Sequence, residues 1–80
     1  TQTAAANQIA DYLEDVFGYT IDDRFGNSGG SIVMYVSDTY PIPLMKALEL
    51  EDDLNQGRTG YEIVVQHRPS TGEIEVIVQP

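Results

Sequence analysis

The stretch from Tyr61 to Gln79 restricts the fold more than any other part of the chain. Two alternating runs, residues 61–68 and 73–79, flank Pro69-Ser70-Thr71-Gly72. Proline presets the first turn dihedral, and a final glycine accepts the positive φ that closes such a turn. The pattern predicts an antiparallel hairpin with Arg68 opposite Glu73. Strand side chains alternate between faces, so this register puts Ile63, Val65 and His67 on one side with Ile74, Val76 and Val78. The other side carries Glu62, Val64, Gln66 and Arg68 with Glu73, Glu75, Ile77 and Gln79, and Val64 lands opposite Ile77. A lone hairpin is at best marginal in water, so the rest of the chain must cover its apolar side.

Four further elements are predicted to do so. Residues 3–17 read as a helix: Thr1 or Thr3 can cap it, Ala4, Ala5 and Ala6 favour it, and Gly18 suits its C-terminus. Ile9, Leu13, Val16 and Phe17 recur on one face with Tyr12 beside them, while Asp11, Glu14 and Asp15 fall toward the other. Residues 19–25 and 31–37 read as a second hairpin around Gly26-Asn27-Ser28-Gly29-Gly30. Ile32, Met34 and Val36 would face inward, opposite Ile21 and Phe25, leaving Val33 and Tyr35 on the far face. Asp23 interrupts the alternation and marks an edge strand or a bulge. Residues 44–56 read as a second helix, with Pro43 near its first turn and Gly57 as its cap. Its inner side is expected to hold Leu44, Ala47, Leu48, Glu51 and Leu54, with Leu50 adjacent.

The order is therefore α-β-β-α-β-β, an α+β fold: a four-stranded antiparallel sheet with two helices on one face. The second sheet face would stay open, as antiparallel sheets allow. Short echoes between Gly18-Tyr19-Thr20-Ile21 and Gly60-Tyr61-Glu62-Ile63, and between Leu13-Glu14-Asp15 and Leu50-Glu51-Asp52, hint at two related halves. At 80 residues the chain makes one domain, residues 1–80. It has no cysteine, so disulfides and thiolate metal sites are excluded, and stability must come from packing or from oligomerisation, a homodimer included. No run is long enough to span a membrane and no signal-peptide pattern opens the chain, so the cytoplasm is the expected location.

Charge narrows the partners. Thirteen carboxylates face four basic side chains, for a net charge of −9. Direct nucleic-acid contact and anionic membranes are disfavoured, because both call for Lys and Arg. A basic protein surface would be attracted and steered. Motifs that suggest chemistry fail on order or partners. The Ser28 loop looks like the glycine-flanked nucleophile segment of trypsin-like proteases, but the one histidine, His67, follows the serine and the chain is far too short. The loop lacks a P-loop lysine. His67 has no second histidine or cysteine to share a metal, and packing or a hydrogen bond is its expected role. Asp22 and Asp23 point to opposite strand faces, and Glu51-Asp52-Asp53 lacks the alternation and glycine of a calcium loop. No catalytic residue, metal or cofactor is therefore expected.

Two binding surfaces remain. Asp11, Glu14 and Asp15 with Glu49, Asp52 and Asp53 would merge into one negative field if the helices lie side by side, a field that imitates nucleic-acid phosphates. Val33, Tyr35, Val64 and Ile77 would form an apolar sheet face suited to protein contact or dimerisation.

In size, acidity, lack of cysteine and element order the chain resembles the small phage-encoded anti-CRISPR proteins that bind type I surveillance complexes (Cascade). The resemblance covers the whole chain in general character and transfers no individual residue. It implies a cofactor-free inhibitor of a nucleic-acid-binding machine in the bacterial host cytoplasm, with a Cascade subunit as the basic partner. The alternative expectation is a small structural or assembly protein that dimerises or docks through its open sheet face.

Overall fold

The computed structural model describes residues 1–57 and 59–80. Its elements are α1 (Gln2–Phe17), β1 (Thr20–Gly26), β2 (Ile32–Ser37), α2 (Leu44–Leu54), β3 (Ile63–Arg68) and β4 (Glu73–Val78), the α-β-β-α-β-β order of an α+β fold. The four strands form one antiparallel sheet in the order β1-β2-β4-β3. In the β3–β4 hairpin Arg68 pairs with Glu73 and Val64 with Ile77, as the turn chemistry requires.

α1 begins at Thr1, whose hydroxyl accepts the Ala4 N–H at 3.1 Å, and ends at Gly18 with φ 72°. There the Gly18 and Tyr19 amides bond back to Glu14 and Leu13, closing the last carbonyls. Ala5, Ala6, Ile9, Ala10 and Leu13 are buried. Val16 is not part of this stripe: the Phe17 and Tyr19 rings stack 5.2 Å apart at the helix end, and Val16 is left 60% exposed.

β1 departs from the expected alternation. The register shifts between Ile21 and Asp23, so Asp22 is the extra residue of a β-bulge. Ile21 still pairs with Val36 on the inner face, but after the bulge Arg24 takes the inner position opposite Met34 and Phe25 pairs with Val33 on the outer face. The expected inward Phe25 is thus corrected: one inserted residue reverses the side of every residue that follows. Arg24 then reaches α1, donating to the Asn7 side chain and the Thr3 carbonyl.

α2 is rotated from its expected setting. Ala47, Leu50 and Leu54 are buried, whereas Leu44 and Leu48 are exposed. The cause is the edge of β3. The Glu51 carboxylate accepts the Val65 N–H at 2.8 Å, and the Asn55 side chain both accepts from Ile63 N–H at 2.8 Å and donates to the Ile63 carbonyl at 2.7 Å. The helix therefore sets the Leu44–Leu48–Glu51–Asn55 stripe beside the β3 edge rather than under the sheet: its second half bonds the strand, and Leu44 and Leu48 in its first half stay exposed. Asn55, not Gly57, caps the helix.

The helices run antiparallel: Phe17, ending α1, meets Lys46 in the first turn of α2, while Tyr12 donates to Asp53 near the end of α2. Both helices feed one core with Met34, Val36, Ile63, Ile74, Val76 and Val78. The segment between β2 and α2 is fastened under the second hairpin, because Ile42 donates to the Gly72 carbonyl at 2.8 Å and its own carbonyl accepts from His67 Nε2 at 2.7 Å. The sheet order also gives the two α-β-β halves a twofold relation, with β2 and β4 central and β1 and β3 at the edges. Gly18 and Gly60, which open the echoing segments, both have positive φ.

Candidate functional site

The acidic residues expected to form a binding face fall into three groups. Asp11 and Asp15 are exposed and lie one turn apart on the side of α1 away from its buried stripe. Glu14 is exposed but lies in line with Thr3 and Asn7, the residues that Arg24 contacts, so it sits on the β1 flank. On α2, Glu49 and Asp52 are exposed, and Asp53 is half-buried with its carboxylate accepting the Tyr12 hydroxyl at 2.6 Å. Asp53 thus ties the helices together.

Among the described residues the cations do little to neutralise the charges of Asp11, Glu14, Asp15 and Asp52. Lys46 pairs with Glu49 at 3.4 Å and lies 5.3 Å from the centre of the Phe17 ring. A pair this exposed contributes less than about 1 kcal/mol. Arg68 is held on the opposite sheet face, 3.1 Å from Glu75 and 5.2 Å above the Tyr35 ring. Arg24 is engaged at the β1 edge. Among the described residues Asp11, Glu14, Asp15 and Asp52 have no ion pair, and no group of three or more His, Asp or Glu side chains is placed to hold a metal ion. Tyr19 has its pKa raised above the usual value, first by burial and second by the charge of Asp38.

On the open sheet face, Val33, Ile77 and Val64 form one cross-strand row, and Phe25 completes it on β1. Tyr35 belongs to the next row, between Asp23 and Glu75. The centre of this face is covered by its own side chains, while Phe25 at its β1 edge stays exposed. Phe25 tilts against Tyr35 at 5.6 Å, Arg68 covers the other side of the cluster, and Val33 is only 5% exposed. A small open depression of about 260 Å³ lies beside Asp22, Tyr35, Arg68 and Glu73.

The structure also reveals apolar residues that sequence reasoning had placed inside or passed over. Tyr40, Leu44, Met45 and Leu48 are 77%, 55%, 68% and 54% exposed, more open than Phe25 on the sheet face at 41%. A signal existed: the six apolar residues of α2 spread over about 220° of its circumference, too wide an arc for one buried side. For Phe25 the signal was Asp23, which broke the alternation.

Ser28 and His67 stand at opposite ends of the sheet. The loop bearing Ser28 joins the Ile32–Val78–Ile63 end, whereas His67 lies in the Val36–Ile74 row. Asn27 organises that loop by accepting the Gly29 and Ser31 amides. No helix among the described residues is long and apolar enough to cross a membrane. No family model, curated protein or solved structure matches the chain.

Proposed function

We propose that this chain is a non-catalytic inhibitor that binds a basic, nucleic-acid-binding protein surface through its helical layer. The observation that carries this reading is the set of exposed carboxylates Asp11, Asp15, Glu49 and Asp52 on two adjacent antiparallel helices, with Glu14 on the flank. In a water-exposed setting such charges act mainly on encounter rate and on partner choice, favouring cationic grooves. The resemblance to phage anti-CRISPR proteins supplies the particular target, the DNA-binding channel of a type I surveillance complex, whose Lys and Arg side chains normally hold phosphates. Asp53 stands apart from the binding set because it holds Tyr12.

The test is competition between this chain and target DNA for a purified type I complex, at about 50 mM and about 300 mM salt. The expected result is block of DNA binding at near-equimolar inhibitor in low salt, weakening with salt. The combined variant Asp11→Asn, Glu14→Gln, Asp15→Asn, Asp52→Asn should lose about a hundredfold in affinity, a few-fold per charge. Full inhibition by that variant would overturn the assignment of the acidic face.

A second reading rests on the Phe25–Val33–Ile77–Val64 row, which crosses all four strands. If that row is a dimer interface, sedimentation of the protein at about millimolar concentration will show a dimer that Val64→Glu or Tyr35→Glu dissolves. A monomer throughout would dismiss it.

A further inference from the structure

Four of the six large apolar side chains that stay exposed among the described residues lie within nine consecutive positions, at Tyr40, Leu44, Met45 and Leu48. Three of them occupy the first turns of α2. Leu44 and Leu48 are one turn apart, Met45 is beside them, and Glu49 and Asp52 continue the same outward side toward the helix C-terminus. The surface is thus an apolar patch bordered by carboxylates. On the adjoining β3 edge Asn55 occupies both Ile63 backbone groups and Glu51 the Val65 N–H. Contact with the outer side of α2 runs side chain to side chain.

We propose that the outer side of α2 docks a basic amphipathic helix of the partner. Its apolar stripe would pack against Leu44, Met45 and Leu48, whose one-turn spacing matches the i, i+3 and i+4 ridges of a second helix. Its flanking Lys and Arg side chains would reach Asp52, and Glu49 in exchange for its exposed pair with Lys46. A second copy of this chain is a poor occupant, since it brings the same carboxylates and a net charge of −9. The inference rests on the reading that the partner is basic, and adds that it is helical and amphipathic where it meets α2. Charge would govern encounter, and the leucine–methionine patch would govern how long the complex lasts.

The experiment uses two peptides of about 18 residues made only of leucine and lysine, long enough to form a helix on contact. One has its leucines on a single helical face, and the other has the same composition in scrambled order. Each is titrated into the isotopically labelled full chain, with amide shifts read by NMR. The amphipathic peptide should bind about tenfold tighter than the scrambled one, the scale of burying part of one or two leucine side chains. Its shifts should centre on α2 between Leu44 and Asp52. Leu44→Ser with Leu48→Ser, each just over half exposed and with the fold checked by the variant's own amide spectrum, should remove that preference and leave scrambled-peptide binding unchanged. Equal affinity for the two peptides, or shifts centred on α1 or the open sheet face, would overturn the helix-docking proposal while leaving an acidic binding face intact. Failure of both peptides to bind at low salt would overturn both readings.

Discussion

At the scale of single residues, the most constrained position is Gly72. Its φ is 74°, and a β-carbon built there would lie 2.4 Å from Pro41 Cβ and 2.5 Å from Pro41 Cα. Neither atom belongs to a flexible side chain that can swing away, and the Ile42 amide is bound to the Gly72 carbonyl. Gly72→Ala should therefore destabilise the protein by about 2–4 kcal/mol, combining left-handed strain with overpacking. Urea unfolding would show it as a lower midpoint at unchanged slope. Tyr19 sets a pH limit. Its pKa is raised on folding by burial and by Asp38, so the folded protein holds this proton where the unfolded chain has released it. The stability it contributes is complete below the unfolded value of about 10 and is lost as pH rises past that toward the folded value. Tyr19→Phe should flatten this alkaline loss in unfolding curves recorded from about pH 8 to 11, and an unchanged slope would assign the loss to other groups.

Among elements, α2 departs furthest from its sequence pattern. Its role as a plug for the β3 edge depends on Glu51 and Asn55. Unprotected edges invite pairing with other chains. Asn55→Ala removes the bonds to both Ile63 backbone groups and should cost about 1–3 kcal/mol. It should also raise hydrogen exchange at Ile63 while β4 keeps its protection. A loss spread evenly over both strands would mean that Asn55 acts through the helix alone. The β3–β4 hairpin was legible because its turn and alternation agreed. β1 and α2 were read less well for one shared reason: a bulge and an edge contact are relations between elements, and neither leaves more in the sequence than one misplaced aspartate or one overly wide apolar arc.

For the whole molecule, the net charge of −9 is spread over 80 residues, and few neutralising pairs form among the described residues. Self-repulsion of this kind weakens the compact state, and added salt screens it over a Debye length of about 10 Å at 0.1 M. The melting temperature should rise by about 5 °C between about 10 mM and about 500 mM sodium chloride. A flat response would show that the carboxylates lie too far apart, or are too well hydrated, to repel one another. By itself the sequence determined the order of elements, the α+β class, the register of the second hairpin and the acidic character of the surface. Each of these follows from local periodicity, turn chemistry or composition. Only the tertiary structure decided the sheet order, the outward turn of Phe25, the tie between Tyr12 and Asp53, and the exposure of Leu44, Met45 and Leu48. Those depend on which backbone edges and side chains remain unsatisfied once the other elements have packed, and that is fixed in space rather than along the chain.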